Sequence, residues 1–349
     1  MDRRALLKLG LATSVGTSLA LSNAPLAKAA LTAPSAPSAD RLQDAIDRAL
    51  EFLVSKQSRV GSWADKRHQT AITALAGTAL ICSGSTTTQG PYAKAIRYCV
   101  DFILGKCQRN GLISSIREHR YTYGHGFSML FLSQVLGEEE DIDRREELVQ
   151  ALERAVKFCV NSQTKEGGWG YTSGDDFDEG STTITQVQGL RGCRNAGIVV
   201  PKKVIENAKR YIYKSQNADG GIKYRSNSSS GDSRPAITAA ALAALYNAGD
   251  YESKHVPPMW EYCKKHLHEV GGKSLDHWWH YSYLYYSQVV YRQGPDVWDP
   301  FRDQLVKRLL RKQKDDGRWE TSESESVYPT SVNLIILQLD FGYLPIFQR

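Results

Sequence analysis

Three carboxylates that could transfer a proton stand within the string DDFDE, which spans residues 175–179: Asp176, Asp178 and Glu179. Because neighbouring like charges resist joint ionisation, such a cluster can raise the pKa of one carboxyl group. A carboxyl group that keeps its proton near neutral pH can act as a general acid. The alternative interpretation is a solvated acidic loop in which Ser181 or Thr182 caps the helix that follows.

Histidine and aromatic side chains gather in two further strings, EHRYTYGHG at 118–126 and DHWWHYSYLYY at 276–286. Aromatic walls stabilise cations and bind apolar chains or sugar faces, and a histidine beside an aspartate can exchange protons. The catalytic candidate among them is His280. The candidates for ligand binding are His68, His119, Tyr121, Tyr123, His125, Asp276, His277, Trp278, Trp279, Tyr281 and Tyr328. Core packing of the same aromatic residues is the alternative.

These candidates must be positioned by a repeated element, because one phrase recurs along the chain. A glutamine, a polar turn, glycine and an aromatic residue follow one another in KQSRVGSW, SQTKEGGWGY, KSQNADGGIKY and KQKDDGRWE. Gln108 marks another copy, and a degenerate copy at Leu267 keeps only a glycine pair. Each copy lies between an amphipathic helical segment and an almost uncharged one. The chain therefore contains six helical hairpins of about 50 residues each.

The difference between the two helices of each hairpin predicts an all-α toroid. An inner ring of helices must be nearly free of charge, whereas an outer ring faces water with one side. We therefore predict an (α/α)6 toroid over residues 41–349. Parallel inner helices begin on one rim, called the mouth here. We expect His125, Asp178, His277 and His280 to converge there, with Trp279 as an aromatic anchor for a ligand.

The repeated phrase resembles the QW repeat of the terpenoid cyclase and protein prenyltransferase superfamily, whose fold is an α/α toroid. Exported bacterial proteins with prenyltransferase and squalene oxidase repeats are the most similar, through YGHGFSMLFLSQV and EGSTTITQVQGLRGCRNAGI. The resemblance implies functional groups at the mouth of the central cavity. The segment from Asp176 to Glu179 resembles the DxDD acid motif of cyclases, although the register places Ser181 at the position of the acid.

The same resemblance argues against zinc. The prenyltransferase zinc ligands would fall on Trp278, His280 and Pro329, and neither tryptophan nor proline binds zinc in this way. No GCGEQ thioester string is present, which excludes the thioester branch. We therefore expect neither a metal nor another cofactor.

The first 29 residues have the pattern of an export signal. Arg3 and Arg4 precede a weakly apolar run, and the small residues of the AKA string at 27–29 suit a cleavage site. The paired arginines resemble a twin-arginine signal, and an ordinary secretory signal is the alternative. A linker rich in proline, serine and alanine follows over residues 30–40. We expect an exported protein of the periplasm or cell envelope, without a membrane span after cleavage.

Composition narrows the classes of partner. The net charge of +6 is scattered along the chain, which argues against a nucleic-acid partner. The six cysteines sit in apolar contexts and form no CxxC, so buried thiols are expected in preference to disulfides.

Two classes of function remain open from the sequence. The first is binding or transformation of an isoprenoid or other amphiphilic ligand in the cavity. The second is a non-catalytic binding or scaffold module of the cell envelope. A sugar-cleaving enzyme that uses paired carboxylates such as Asp178 and Asp276 is a weaker third alternative.

Overall fold

The computed structural model describes residues 39–225, 231–270, 278–321 and 326–348. Twelve α-helices fill these ranges, and isolated β-bridges are the only extended pairings in them. The predicted signal at 1–29 and most of the linker lie outside the described residues. The first helix begins at Ala39, inside the predicted linker.

The helices alternate between two concentric layers. The outer layer consists of α1 (Ala39–Lys56), α3 (Ala93–Leu104), α5 (Ile142–Asn161), α7 (Lys202–Lys214), α9 (Val256–Leu267) and α11 (Pro295–Lys312). The inner layer consists of α2 (Gln69–Ile81), α4 (Thr122–Glu138), α6 (Gly180–Asn195), α8 (Pro235–Asn247), α10 (Trp279–Arg292) and α12 (Val327–Leu337). Nearly every residue of inner helices such as α2 and α8 is buried. An outer helix such as α7 buries the residues of one face only.

The inner helices form a closed ring. Each packs on the next along the chain, and α12 packs on α2. The outer layer closes in the same way, because α1 contacts both α11 and α12. The predicted (α/α)6 toroid is therefore confirmed. Within the described ranges, no helix is both long and apolar enough to cross a membrane.

The repeated glutamines tie neighbouring hairpins together. The Nε2 group of Gln57 donates to the carbonyl of Gly61 in its own turn at 3.0 Å and to that of Ala95 on α3 at 2.9 Å. Gln163, Gln216 and Gln313 make the same two kinds of contact. These bonds join each of the four turns to the following outer helix, with α1 following the last turn.

The tryptophan of the phrase locks each turn to its own outer helix. The indole nitrogens of Trp63, Trp169 and Trp319 donate to carbonyls of α1, α5 and α11 at 2.8–2.9 Å. The turn that precedes Trp319 requires glycine at position 317. Gly317 has φ +86°, and a Cβ atom there would lie 2.3 Å from the carbonyl oxygen of Arg48. The repeated phrase is thus explained by packing between hairpins.

The far end of the ring, opposite the mouth, is covered by the C-terminal segment. Two short 3-10 helices, Leu339–Phe341 and Pro345–Phe347, follow α12. The backbone of Ile346 donates to Gln134 on α4 and accepts from Arg292 on α10. All six cysteines are free thiols, and burial raises the pKa of Cys193 to about 12.

Candidate functional site

The inner helices begin on one rim, and α6 brings Glu179 to it. Glu179 is the N-cap residue of α6, and its Oε2 accepts from the backbone nitrogen of Thr182 at 3.0 Å and from the hydroxyl of Ser181. The bond to Thr182 satisfies one of the backbone donors that the start of a helix leaves free. Ser181 also shares a hydrogen bond with the phenol of Tyr123 on α4.

The second oxygen of Glu179 is not used by the part of the protein that the structure describes. Oε1 is buried and has no hydrogen-bond partner there, and the side chain as a whole is fully buried. Burial raises the pKa of Glu179 above its usual value, while the hydrogen bonds from Ser181 and Thr182 act in the opposite direction. The group is therefore biased toward a neutral carboxylic acid.

Tyrosines on α4 and α10 lie within electrostatic reach of this acid. Burial raises the pKa of Tyr281 well above the ordinary value, and its neighbours Tyr285, Glu179, Tyr123 and Tyr328 add to the effect in that order. These groups consequently lie within electrostatic reach of one another. The rings of Tyr281 and Tyr285 are in edge contact at 4.9 Å, and the hydroxyls of both are buried without a partner in the described ranges.

Three of these tyrosines are only partly buried. Tyr123, Tyr281 and Tyr328 lie deep enough for burial to raise each pKa, yet each keeps some accessible surface. The 3.6-residue period continues this face of α10 from Tyr281 and Tyr285 to Gln288.

A polar bridge crosses the interior below the tyrosines. The side chain of Gln188 on α6 donates to Gln288 on α10 at 2.7 Å. The two helices are separated in the ring by α8, so this bond spans the inside of the toroid. It lies seven residues beyond Ser181 and Tyr281, which corresponds to about 10 Å along a helix. The interior therefore combines an aromatic layer with a polar layer beneath it.

An aromatic and cationic group extends the rim beside α6. The phenols of Tyr171 and Tyr224 share a hydrogen bond, and Tyr171 also contacts Phe177 at 5.8 Å. The guanidinium groups of Arg120 and Arg225 lie 4.1 Å over Tyr171 and Phe177. Arg120 has φ +54°, the only positive value of a non-glycine residue in the described ranges. Tyr171, Tyr224 and Tyr285 are not among the candidates from the sequence, although Tyr171 and Tyr224 follow the glutamines of their turns at the same spacing.

The acidic string separates into three environments. Asp176 is exposed. Asp178 accepts from the hydroxyl of Thr164 and from the backbone nitrogen of Gly168 at 3.1 Å, and burial raises its pKa. These contacts lock Asp178 into the turn of the third repeat. Glu179 is the one carboxylate of the string that lies beside the tyrosine cluster.

His125 differs from the expected convergence at the mouth. Its Nδ1 accepts from the backbone nitrogen of Ile113 at 3.1 Å, and its Nε2 contacts the carbonyl of Ala155 on α5 at 3.2 Å. In the other hairpins a threonine accepts the equivalent backbone bond: Thr73, Thr183, Thr238 and Thr330. His125 therefore occupies a structural threonine position and faces the outer layer.

Trp279 also differs from its expected position. It is buried, stacks on Tyr283 at 4.6 Å and has Arg308 of α11 over its ring at 5.4 Å. Its neighbour Trp278 is 60 % exposed on the rim. The predicted aromatic anchor thus lies in the layer between helices, where it supports the fold.

The remaining candidates occupy the rim, except for two. His68 lies near His119 at 5.7 Å and Tyr123 at 6.0 Å, and burial lowers its pKa. Tyr121 bonds to Ser173 at 2.8 Å. His280 faces Tyr328 at 6.2 Å, and burial lowers its pKa to about 4. Asp276 and His277 lie outside the described residues.

The site carries no cluster of metal ligands within the described ranges. No three His, Cys, Asp or Glu side chains there are placed to hold an ion together. His280 also lies within reach of the positive charges of Lys312 and Arg308, which oppose a bound cation. The absence of zinc stays a prediction.

Comparisons with known proteins support the fold. No protein-family model matches the sequence, and no curated protein is significantly similar to it. An inactive variant of the α-1,6-mannanase GH76A of Salegentibacter sp. HEL1_6, solved with α-1,6-mannotriose, aligns with a TM-score of 0.63 at 9% identity, covering 85% of this chain and 98% of that one. A type II terpene cyclase from Scytonema aligns with a TM-score of 0.38 at 14% identity, covering 87% of this chain and 100% of that one.

Proposed function

We propose that this chain is an exported toroid protein that receives an isoprenoid or other apolar chain in its central cavity and protonates it with Glu179. The observation that carries the proposal is the unpartnered Oε1 of Glu179, a buried acid within electrostatic reach of Tyr123 and Tyr281. An acid enclosed by aromatic rings suits a reaction in which a proton is added to an apolar group.

The reaction class follows from the two oxygens of the carboxyl group. The proton resides on Oε1 and passes to a carbon–carbon double bond, which leaves a carbocation on the ligand. The hydrogen bonds from Ser181 and Thr182 to Oε2 then stabilise the carboxylate that remains. Tyrosine faces stabilise the cation. A neighbouring carbon then loses a proton to the Glu179 carboxylate, which restores the acid and leaves a neutral product. The net reaction is therefore an isomerisation or cyclisation without a co-reactant.

Sugar cleavage is the second candidate, because the structurally similar mannanase was solved with a bound mannooligosaccharide. Such chemistry ordinarily uses two carboxylates on either side of the bond that breaks. At the described part of the mouth, the hydroxyl and backbone nitrogen of Thr70 donate to the two oxygens of the half-buried Glu118. Both oxygens of the buried Asp178 also accept hydrogen bonds. Of these three carboxylates, only Glu179 retains an oxygen without a partner among the described residues, which favours single-site protonation.

A Glu179→Gln variant tests the proposal. The amide oxygen can still accept from Ser181 and Thr182, so the helix cap is kept while the transferable proton is lost. The purified protein, without its signal, is incubated with squalene or geranylgeraniol in heavy water, and the products are examined by mass spectrometry. We expect an isomer that contains one deuterium, formed by the natural protein and reduced at least 100-fold in the variant.

Each other outcome has a clear meaning. If the natural protein and the Glu179→Gln variant form equal amounts of product, Glu179 is not the acid of the reaction. Tight binding of either lipid without any product would leave a binding module as the function. Release of mannose from α-1,6-mannotriose would instead support sugar cleavage.

A further inference from the structure

A second pocket lies at the far end of the toroid, away from the tyrosine cluster. It has a volume of about 470 Å³ and is bordered by the ends of α6, α8 and α10 and by the C-terminal segment. Arg191, Arg292, Tyr251 and Gln293 are among its lining residues. The volume lies within the range of sites that hold small organic ligands.

The positive charge of this pocket is not balanced by a carboxylate that acts on Arg191. Burial lowers the pKa of the half-buried Arg191, the guanidinium groups of Arg194 and Arg292 lower it further, and only the phenol of Tyr251 opposes them. Asp250, next to Tyr251 in sequence, is engaged by the hydroxyl of Tyr213 and the backbone nitrogen of Ser253. Two cations thus line one opening, and the exposed Arg194 lies within electrostatic reach of Arg191.

Other arginines of the protein are arranged differently. Arg302 contacts Asp299, Asp303 and Asp340, and Arg144 contacts Asp101 and Glu147. One guanidinium nitrogen of Arg292 donates to the carbonyl of Ile346 at 3.2 Å, which fixes the side chain at the edge of the pocket. The Arg191 side chain makes no hydrogen bond or ion pair with the described residues.

The ends of the helices compensate only part of this charge. Arg191, Arg194 and Arg292 stand in or near the last turns of α6 and α10, where cations are favourable. The helix C-termini offset part of the charge of these arginines. The charge that remains is positive, which favours an anionic ligand such as a phosphate monoester.

The opposite wall of the pocket is aromatic. Tyr251 is 48% exposed and stacks on Tyr246 at 5.5 Å, and the phenol of Tyr246 is held by the amide of Gln293 at 3.0 Å. An exposed ring that is fixed from behind offers a flat surface for the body of a ligand. We infer that this pocket binds a small phosphate monoester, with its phosphate between Arg191 and Arg292 and its body on Tyr251.

Phenyl phosphate is the probe for this site, with inorganic phosphate and phenol as comparisons. Isothermal titration calorimetry on the natural protein should show that phenyl phosphate binds most tightly and phenol least. Arg191→Gln should weaken phenyl phosphate at least ten-fold, because a guanidinium fork contacts phosphate directly. Tyr251→Ala should weaken phenyl phosphate while leaving inorganic phosphate unchanged.

Two controls keep the test decisive. Arg59→Gln removes an exposed charge from a turn at the mouth and should leave phenyl phosphate binding unchanged. Arg191→Lys keeps the positive charge but loses the two-pronged guanidinium group, so we expect an intermediate affinity for phenyl phosphate. Binding that is equal in the natural protein and Arg191→Gln, or that falls equally in Arg59→Gln, would overturn the inference. The site is independent of Glu179, so Glu179→Gln should bind phenyl phosphate normally.

Discussion

The amide nitrogen of Gln313 donates to the carbonyl oxygen of Ala45 at 2.8 Å, and this bond joins the last hairpin to the first helix. The same nitrogen also donates to Gly317 at 2.9 Å, and the amide oxygen accepts from Arg48 at 3.0 Å. Residues at opposite ends of the chain thus complete the ring through the same contacts that join neighbouring hairpins elsewhere.

We predict that Gln313→Ala destabilises the protein by about 1–3 kcal/mol, because it leaves carbonyl groups at a packed junction without their donor. Urea denaturation measures the change in the free energy of unfolding. Gln43→Ala is the matched control, since the hydrogen bond that Gln43 makes within the described ranges is to the exposed Asp47 on the same helix. An equal effect of the two substitutions would argue against glutamine as the link that closes the ring.

His125 predicts a loss of stability in acid. Burial lowers its pKa from 6.5 to about 4, so the unfolded chain binds a proton at this residue more readily than the folded protein does. The stabilisation is complete above pH 6.5 and is lost as the pH falls toward about 4. His125→Thr introduces the residue that other hairpins use, and it should flatten the stability profile in this interval.

Urea denaturation at several pH values gives the free energy of unfolding of the natural protein and of His125→Thr. The difference between these two pH profiles is the quantity that tests the prediction. Other groups titrate equally in both proteins and cancel. The variant is expected to be less stable at pH 8, because threonine fills less of the space. Parallel profiles would show that His125 is protonated as easily in the folded state as in the unfolded chain.

Much of the toroid could be predicted from the sequence, because its signals are local and repeated. The charge-free inner segments and the recurring glutamine turns indicate two layers and six hairpins. The direction of individual side chains could not be predicted from the same pattern. His125 and Trp279 stand near the starts of inner helices, but their angular positions turn them toward the outer layer. One residue along a helix rotates a side chain by about 100°, so a position near the rim does not determine the face.

The same limit explains the acidic string. Asp178 and Glu179 are adjacent, yet one is held by the turn and the other lies beside the tyrosines. Clustered charge indicates an acid near the mouth, but the choice of residue depends on the cap of α6. Tyr285 was missed because a tyrosine within an inner helix has the pattern of a core residue.

Replacement of Glu179 should separate its structural role from its charge. Glu179→Ala loses the cap of α6 and should destabilise the protein by about 0.5–2 kcal/mol. Glu179→Gln keeps an acceptor and resembles the protonated acid. Since burial raises the pKa in the folded state, ionisation costs stability as the pH rises above the unfolded value of 4.5. We therefore expect the glutamine variant to melt at a higher temperature than the natural protein at pH 8.

The melting temperatures of the Glu179 variants should converge in acid. Near pH 4 the natural side chain is itself largely protonated in both states, and the advantage of glutamine disappears. Differential scanning calorimetry at pH 8 and pH 4 gives the comparison. A glutamine variant that melts below the natural protein at pH 8 would indicate that the ionised carboxylate stabilises the fold.

We predict that the purified protein carries no stoichiometric zinc. Trp278 and Pro329 offer no ligand atom, and His280 lies close to positive charges. Elemental analysis after dialysis measures the metal content. Near-equimolar zinc that is lost in His280→Ala would show that the rim holds a metal centre.

Tyr328 and Trp279 should affect ligand binding differently, because one borders the interior and the other is packed between helices. Tyr328→Ala should weaken binding of geranylgeraniol by about 1–3 kcal/mol, a usual cost of losing an aromatic anchor. Trp279→Ala should instead lower the free energy of unfolding by about 3–5 kcal/mol, as expected for a buried tryptophan. Fluorescence titration and urea denaturation of both variants separate the two effects. If Trp279→Ala folds normally but loses geranylgeraniol, the ligand lies between α10 and α11 and the tyrosine-lined interior is not its site.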